Sequence, residues 1–354
     1  VYTDFLKFFL LHPFSVLLSV LTLMYSQNHS ERFYVICVCW NVMVSSRIVI
    51  VSLVGVFLAV LIGVYIVSQD GIDGVDVSDV CPPSLTTVIG KVSDGVQSGN
   101  VTVYFIDAGV GDSIFVDTSD KDVLIDAGER HDGEFIASFL VSINVTKIDY
   151  LVASHPHFDH IGGLVTVMER FSSLGIPIHM VIENGQDRNT DLYREFRSYA
   201  NEIGVTLAER CQIYQLDSET EMVIVSPPQP LLYSNHNENS IVQMIKFRDI
   251  SFLLTGDIEP LSEAEIVESA LNIQAEILKV SHHGGGTSSI PSFLSAVGPE
   301  VAVITVGAEN QNGHPHQDVL DRLEDVGANI YRTDLQSTIS ITTDGVNYSI
   351  KTKN

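Results

Sequence analysis

Leu151-Val-Ala-Ser-His155-Pro-His157-Phe-Asp159-His160-Ile-Gly-Gly163 places three imidazoles and one carboxylate within six residues, directly after an apolar run. Asp149–Ala153 has the length and composition of a buried strand, and Ile161–Phe171 repeats at helical spacing. A strand that ends in a tight His/Asp turn presents its side chains from a rigid base. Neutral imidazole and carboxylate are both good ligands for Zn2+ and its neighbours. His155 and His157 stand two apart and can face one ion, whereas Asp159 and His160 fall where the chain turns into the helix and can serve a second. A His-rich solvated loop is the ordinary alternative. The buried strand before the cluster and Gly162-Gly163 after it argue against that.

Outward from this segment, short apolar runs alternate with helical patterns. Val101–Ile106, Ser113–Asp117 and Asp122–Ile125 read as successive strands, and Glu134–Val141 as a helix. After the cluster come strand Ile178–Ile182, helix Asp191–Asn201, a hairpin of Ser240–Phe247 with Ser251–Leu254, and helix Glu263–Leu271. Strand Glu276–Val280, helix Ile290–Ala296, strand Val301–Val306 and helix Gln317–Val326 follow, and strands Ile339–Thr342 and Tyr348–Lys351 end the chain. A meander followed by αβ units fits two packed sheets flanked by helices, because each apolar sheet face needs cover.

Five further segments carry chemistry-bearing residues at the ends of such runs. They are Phe105-Ile-Asp107-Ala-Gly-Val-Gly-Asp112-Ser with Leu124-Ile-Asp126-Ala-Gly128, Leu254-Thr-Gly256-Asp257, Leu278-Lys-Val-Ser-His282-His283-Gly284, and Val306-Gly-Ala-Glu-Asn310-Gln-Asn-Gly-His314-Pro-His316. Together with the first cluster they resemble the HxHxDH pattern of the metallo-β-lactamase superfamily. Their wording is similar to the hydrolase domain at the C-terminal end of ComEC-type DNA-uptake proteins, over about Val101 to Lys351. The resemblance implies an α/β (α+β) fold, an αββα sandwich of metallo-β-lactamase type. It implies two divalent ions, Zn2+ first and Mn2+ as the alternative. One would take His155, His157 and Asp257, and the other Asp159, His160, Asp257 and a histidine of the His282–His283 pair. A shared carboxylate offsets the repulsion of two dications about 3.5–4 Å apart. Adjacent residues at a strand end point opposite ways, so one of His282 and His283 is expected at the metal and the other toward substrate or a supporting partner. Asp126 is expected to orient a ligand histidine, and Asp112, Asn239 and Asn310 to support or line the site. His314, between Gly313 and Pro315, is expected at the rim against a phosphate or leaving group, completing a catalytic set with Asp159 and Asp257.

One departure stands out. Many members of the superfamily place another histidine between the first cluster and the bridging aspartate. Here that interval offers His179, in a strand-like run that reads as core, and His236, a candidate replacement ligand in Ser234-Asn-His236-Asn-Glu-Asn239-Ser240. The ComEC-like pattern has an Asn-rich stretch at this point, which Asn237–Ser240 matches.

The N-terminal part reads differently. Ile48–Val67 is twenty residues without a charge, enough to cross about 30 Å of hydrocarbon as a helix. We therefore divide the chain into an extension of doubtful status (1–46), a transmembrane anchor (47–68), an acidic linker (69–99) and the hydrolase domain (100–354). Arg47 before the run and Asp70, Asp73, Asp76 and Asp79 after it put the domain outside the membrane by the positive-inside rule. Secretion by a cleaved signal peptide is the alternative, and a two-helix hairpin through Phe8–Tyr25 would reverse the topology. Cys81 and Cys211 are the only thiols beyond the apolar run, and an extracellular location would permit them to pair.

The chain has 354 residues, with 19 Lys+Arg against 44 Asp+Glu, and all of the imbalance falls after residue 68. This excludes a basic nucleic-acid-binding surface of the usual kind and suggests adaptation to high salt, which screens self-repulsion. The preferred function is a phosphodiesterase or nuclease, related to DNA uptake or extracellular nucleic-acid breakdown, in which a metal-bound hydroxide attacks phosphorus. Its expected partners are a small-molecule or nucleic-acid phosphodiester, the membrane, and a separate DNA channel protein. Rival readings are hydrolysis of a lactone, β-lactam, thioester or phosphocholine-type ester, and a non-catalytic metal-binding module.

Overall fold

The computed structural model describes residues 88–89, 99–308 and 310–353. The extension, the anchor and most of the linker lie outside the described residues. Among the described residues no helix is long and apolar enough to cross a membrane. Cys211 is disulfide-bonded.

The described chain forms sixteen strands and seven α-helices in the order β1 (Val88–Ile89), β2 (Val101–Phe105), β3 (Ile114–Asp117), β4 (Val123–Ile125), α1 (Gly133–Ser142), β5 (Tyr150–Ala153), α2 (Phe158–Leu174), β6 (Val181–Glu183), α3 (Asp191–Ile203), β7 (Val205–Leu207), β8 (Ile213–Gln215), β9 (Thr220–Ser226), β10 (Val242–Phe247), β11 (Ile250–Leu254), α4 (Pro260–Glu268), β12 (Ile277–Lys279), α5 (Pro291–Val297), β13 (Val301–Ile304), α6 (Gln317–Asp325), β14 (Asn329–Arg332), α7 (Thr333–Gln336), β15 (Ile339–Thr343) and β16 (Tyr348–Thr352). They make two eight-stranded sheets, ordered β16-β15-β2-β3-β4-β5-β6-β7 and β1-β8-β9-β10-β11-β12-β13-β14.

Period-two alternation explains the layering. Tyr150 and Val152 of β5 join the core between the sheets, where they meet Tyr214, Met222 and Phe252. Leu151 and Ala153 face the other way, against Leu164, Val167 and Phe171 of α2 and Phe196 of α3. The second sheet likewise covers its outer face with Ile266 of α4, Phe293 and Leu294 of α5, and Val319 and Leu323 of α6. The architecture is a mixed α/β sandwich with helices on both outer faces.

Strands β7, β8, β9 and β14 add to the sequence reading, as does the edge pair Val88–Ile89, which lies within the stretch read as a linker and runs parallel to β8. Most of these are two to four residues long, too short for a period to register. Helix α2 begins at Phe158, three residues earlier than the apolar spacing indicated, so Asp159 and His160 are already helical. His179, read as a core histidine, is instead 53% exposed, 3.2 Å from Asp149. It precedes β6, beside an isolated bridge between Ile178 and Ile148, and its N–H donates to the Ile148 carbonyl (2.9 Å).

What places the site is the parallel part of each sheet. β4 and β5 run parallel in one, and β11, β12 and β13 in the other. Their carboxyl ends come to one edge, where open α/β sheets gather their ligands. The Ile241 N–H donates to the Ser154 carbonyl across that edge (2.9 Å).

Candidate metal centre

β5 ends at Ala153, and Ser154 then locks the turn. Its N–H donates to Asp126 Oδ1 (2.8 Å) and its hydroxyl to Asp126 Oδ2 (2.5 Å). Asp126 follows β4 in a left-handed conformation (φ 54°) and is fully buried. Its Oδ2 also accepts from His160 Nδ1 (2.8 Å). The close approach that permits this rests on Gly163, where an added Cβ would stand 1.8 Å from the Ala127 carbonyl oxygen. No side chain fits there, so α2 presses directly on the turn after β4.

Three histidines use their Nδ1 atoms on the protein and aim Nε2 at one carboxylate. Since the Ser154 hydroxyl proton goes to Asp126, the serine oxygen is left to accept from His155 Nδ1 (3.0 Å). His283 Nδ1 donates to the Thr305 carbonyl, just past β13 (2.8 Å). The three Nε2 atoms lie 3.9 Å (His155), 3.2 Å (His160) and 3.3 Å (His283) from an oxygen of Asp257. Asp257 follows β11 at the Gly256 turn, and its N–H donates to Ser240 Oγ (3.2 Å).

Among the described residues, His155, His160 and Asp257 can share one ion, and so can Asp159, His160 and His283. The observation that tests the fit of metal ions is the set of buried polar atoms without a hydrogen-bond partner. It includes His155 Nε2, Asp257 Oδ1 and His283 Nε2. Orphaned buried donors and acceptors are costly, and divalent ions would satisfy these three atoms. His157 stands beside it, its ring 4.6 Å from His155 and 5.5 Å from His236. His236 Nε2 donates to the Asp187 carbonyl (3.3 Å).

The electrostatics are those of a site built for cations. Burial would raise the Asp257 pKa, but His283 and His160 hold it well below the usual carboxylate range. Burial would lower His160 and His283, yet Asp257, with Asp126 at His160 and Asp112 at His283, raises both. Burial, then the charge of His160, pushes His155 well down. Burial raises Asp126 despite His160.

His282 and His283 do not alternate as residues of a strand. They sit in a tight 3-10 turn with φ of 50° and 54°, past the end of β12. The turn buries His283 beside Asp257 and sends His282 to the rim. There His282 Nδ1 is 3.4 Å from Glu259 Oε1, and its ring is 5.4 Å from His314. The Asn310 side chain grips the His314 backbone at both groups: its Nδ2 donates to the carbonyl (2.9 Å), and its Oδ1 accepts from the N–H (2.8 Å). Burial and the neighbouring imidazoles lower the His314 pKa to about 4.

Of the residues expected to support or line the site, Asp112 is sealed beneath it, in a supporting position, where Thr305 Oγ1 donates to its Oδ1. Lys279, fully buried at the end of β12, stands 2.6 Å from Asp112 Oδ2 and donates to the Gly256 carbonyl (2.8 Å). Burial would raise Asp112, but Lys279, then His283, lowers it. The Asn239 amide braces two loops, donating to the Tyr233 carbonyl (2.6 Å) and to Gln186 Oε1 (3.0 Å). Sequence reasoning missed Lys279, although a lysine inside the apolar run Ile277–Val280 is a legible anomaly. It also missed Ser154 and Thr305, whose types carry no signal of their own.

Comparison with known proteins places this geometry. The family model described as the metallo-beta-lactamase superfamily matches residues 106–307. The chain is 30% identical to ComE operon protein 3 of Bacillus subtilis (strain 168) over 257 residues, covering 67% of this chain and 32% of that protein. It is 28% identical to competence protein ComA of Neisseria gonorrhoeae, covering 73% and 35%. The chain thus spans about a third of the length of these curated relatives. Among solved structures, the metallo-beta-lactamase fold protein YhfI from Bacillus subtilis aligns with a TM-score of 0.44 at 12% identity, covering 65% of this chain and 95% of that one.

Proposed function

The chain belongs to the metallo-β-lactamase superfamily of metal-dependent hydrolases, and from that premise we propose that it is a binuclear phosphodiesterase acting on nucleic acid. The observation that carries the proposal is the convergence of three Nε2 atoms on Asp257, each from an imidazole whose Nδ1 is engaged. His155, His157 and Asp257 would hold one ion, and Asp159, His160, Asp257 and His283 the other. Zn2+ is the first choice and Mn2+ the alternative. When bound, the ions supply Lewis acidity and an activated water, so no Ser or Cys nucleophile is required.

The chain's own residues would do the rest. Asp126 orients His160, and Ser154 orients His155. Asn310 fixes His314 against the rim, where its neutral imidazole meets the leaving-group oxygen with a hydrogen bond. His282 and Glu259 complete that rim. Relatives named for competence support nucleic acid over a lactone, β-lactam, thioester or phosphocholine-type ester. The disulfide at Cys211 suits an oxidising compartment, which supports an extracytoplasmic domain anchored by Ile48–Val67 and working beside a separate DNA channel protein. The acidic composition supports operation at high salt.

Hydrolysis of bis-p-nitrophenyl phosphate, single-stranded DNA and nitrocefin by the full chain with Zn2+ or Mn2+ tests the reading. We expect turnover of both phosphodiesters and none of nitrocefin. Turnover of nitrocefin alone would assign a carbonyl substrate, and no turnover with either metal would leave a non-catalytic module.

A further inference from the structure

We infer that Arg188 is a binding residue for a non-reacting phosphate of the substrate, one that flanks the scissile bond of a polynucleotide. The inference rests on the phosphodiesterase reading and deepens it. In so acidic a chain, arginines are scarce and mostly neutralised. Seven of the nine described arginines are ion-paired to carboxylates: Arg130, Arg170, Arg194, Arg197, Arg210, Arg248 and Arg332. An eighth, Arg322, is used inside the fold, donating to the Gly286 and Ser288 carbonyls. Arg188 has no carboxylate partner among the described residues. Its guanidinium makes one long hydrogen bond, from Nη1 to the Pro156 carbonyl (3.4 Å). Of its five N–H donors, the rest remain available.

The place of that bond matters more than its strength. Pro156 separates His155 from His157, so the one uncommitted arginine is tied to the turn that carries two candidate ligands. The neighbouring residue Asp187 accepts from His236, whose ring faces His157 at 5.5 Å. The loop itself is braced rather than loose. Asn184 Nδ2 donates to the Asn239 carbonyl (2.9 Å), and Gln186 Nε2 to the Ser234 carbonyl (3.0 Å). Arg188 is thus a half-buried cation tied to the turn that carries His155 and His157. Burial lowers its pKa, with no anion beside it to offset that. A planar guanidinium with free donors matches a phosphate in charge and in geometry. The ions would occupy the reacting phosphate, so Arg188, outside the ligand set, is left for the next one along the strand. In a chain of net charge −25, one unneutralised arginine beside the ligand turn is a favourable contact for a polyanion.

The test compares Arg188→Gln with wild type on a single-stranded oligonucleotide and on bis-p-nitrophenyl phosphate, which has only the reacting phosphorus. We expect KM for the oligonucleotide to rise about tenfold or more, as for loss of a charged hydrogen bond. Turnover of the small diester should stay within about twofold. The slope of log kcat/KM against log salt for the oligonucleotide should flatten by about 0.7, one phosphate contact on a single strand. Arg188→Lys should restore the slope and part of the affinity. Equal losses on both substrates would make Arg188 only a brace for the His155–His157 turn and overturn the inference. So would an unchanged salt slope. If the wild type cleaves neither diester, the phosphodiesterase reading itself fails. If it cleaves both and Arg188→Gln matches it, only the role of Arg188 falls.

Discussion

Lys279 Nζ lies 2.6 Å from Asp112 Oδ2 with both side chains closed off from water. The pair sits directly beneath the candidate metal centre, and Lys279 reaches on to the Gly256 carbonyl and to within 3.7 Å of Asp257 Oδ1. A buried ion pair adds little net stability, but breaking one strands a charge in a medium that cannot solvate it. Lys279→Met should therefore cost about 3–5 kcal/mol. Adding Asp112→Asn should recover most of that loss, since the stranded carboxylate is gone. Urea unfolding of the two single variants and the double variant measures the coupling. A Lys279→Met chain within about 1 kcal/mol of wild type would show that the two groups do not depend on each other.

Asp257 is the point on which the three Nε2 atoms converge, so its loss should reach both ions. Asp257→Ala should lose more bound metal than His155→Ala or His160→Ala, each of which should keep about one ion per chain. Hydrolysis of a model diester should fall to background in Asp257→Ala, and added metal should not restore it. Elemental analysis of the three purified variants checks the order. Two ions and ordinary turnover in Asp257→Ala would reduce Gly256-Asp257 to a turn.

Metal should stabilise the fold by mass action. At a free concentration about a hundredfold above Kd the gain is about 2.7 kcal/mol per site, which raises Tm by roughly 5–10 °C for a domain of this size. The carboxylates raise His160 and His283 above the ordinary histidine pKa, so the metal-free fold holds protons there that an incoming ion must displace. Affinity should accordingly rise with pH above about 6.5. In the metal-free chain the same two histidines contribute stability below their unfolded pKa, and that contribution is lost as pH climbs through the raised value. Calorimetric titration with Zn2+ across pH 6 to 8 would reveal the trend, and pH-independent binding would contradict it.

Glu263 lies away from the reacting atoms and offers a cleaner titration. Burial raises its pKa to about 7 even though it accepts from the Ser289 and Ile290 N–H groups at the start of α5. Between its ordinary value and about 7 the folded chain binds a proton that the unfolded chain does not. Stability should therefore fall as pH rises through that window and level off above it. Glu263→Gln carries no such proton, so its stability relative to wild type should improve from pH 5 to pH 8. Urea midpoints at intervals across that range give the comparison, and parallel curves would rule out the raised pKa.

Much of the fold was legible because strand and helix patterns are local. The β5 strand could be read from an apolar run of the right length, and the β10–β11 hairpin from Arg248-Asp249 between two such runs. What escaped was short or partly exposed, as with Val205–Leu207 and Ile213–Gln215, where three residues cannot establish a period. His179 was misjudged for a related reason: a strand-like composition does not say where pairing begins.

By itself the sequence determined the donor set and the strand ends that deliver it, since imidazoles and carboxylates at fixed offsets after buried strands leave few other readings. Only the tertiary structure decided how those donors divide their work. Whether His282 or His283 faces Asp257 depends on two consecutive left-handed residues, a conformation still uncommon for any single histidine and so not announced by the His-His pair itself. That Asp112 is matched by Lys279 depends on a contact between residues far apart in the chain. It forms because the two sheets pack with their parallel strand ends at one edge, where distance along the chain no longer limits which charges meet.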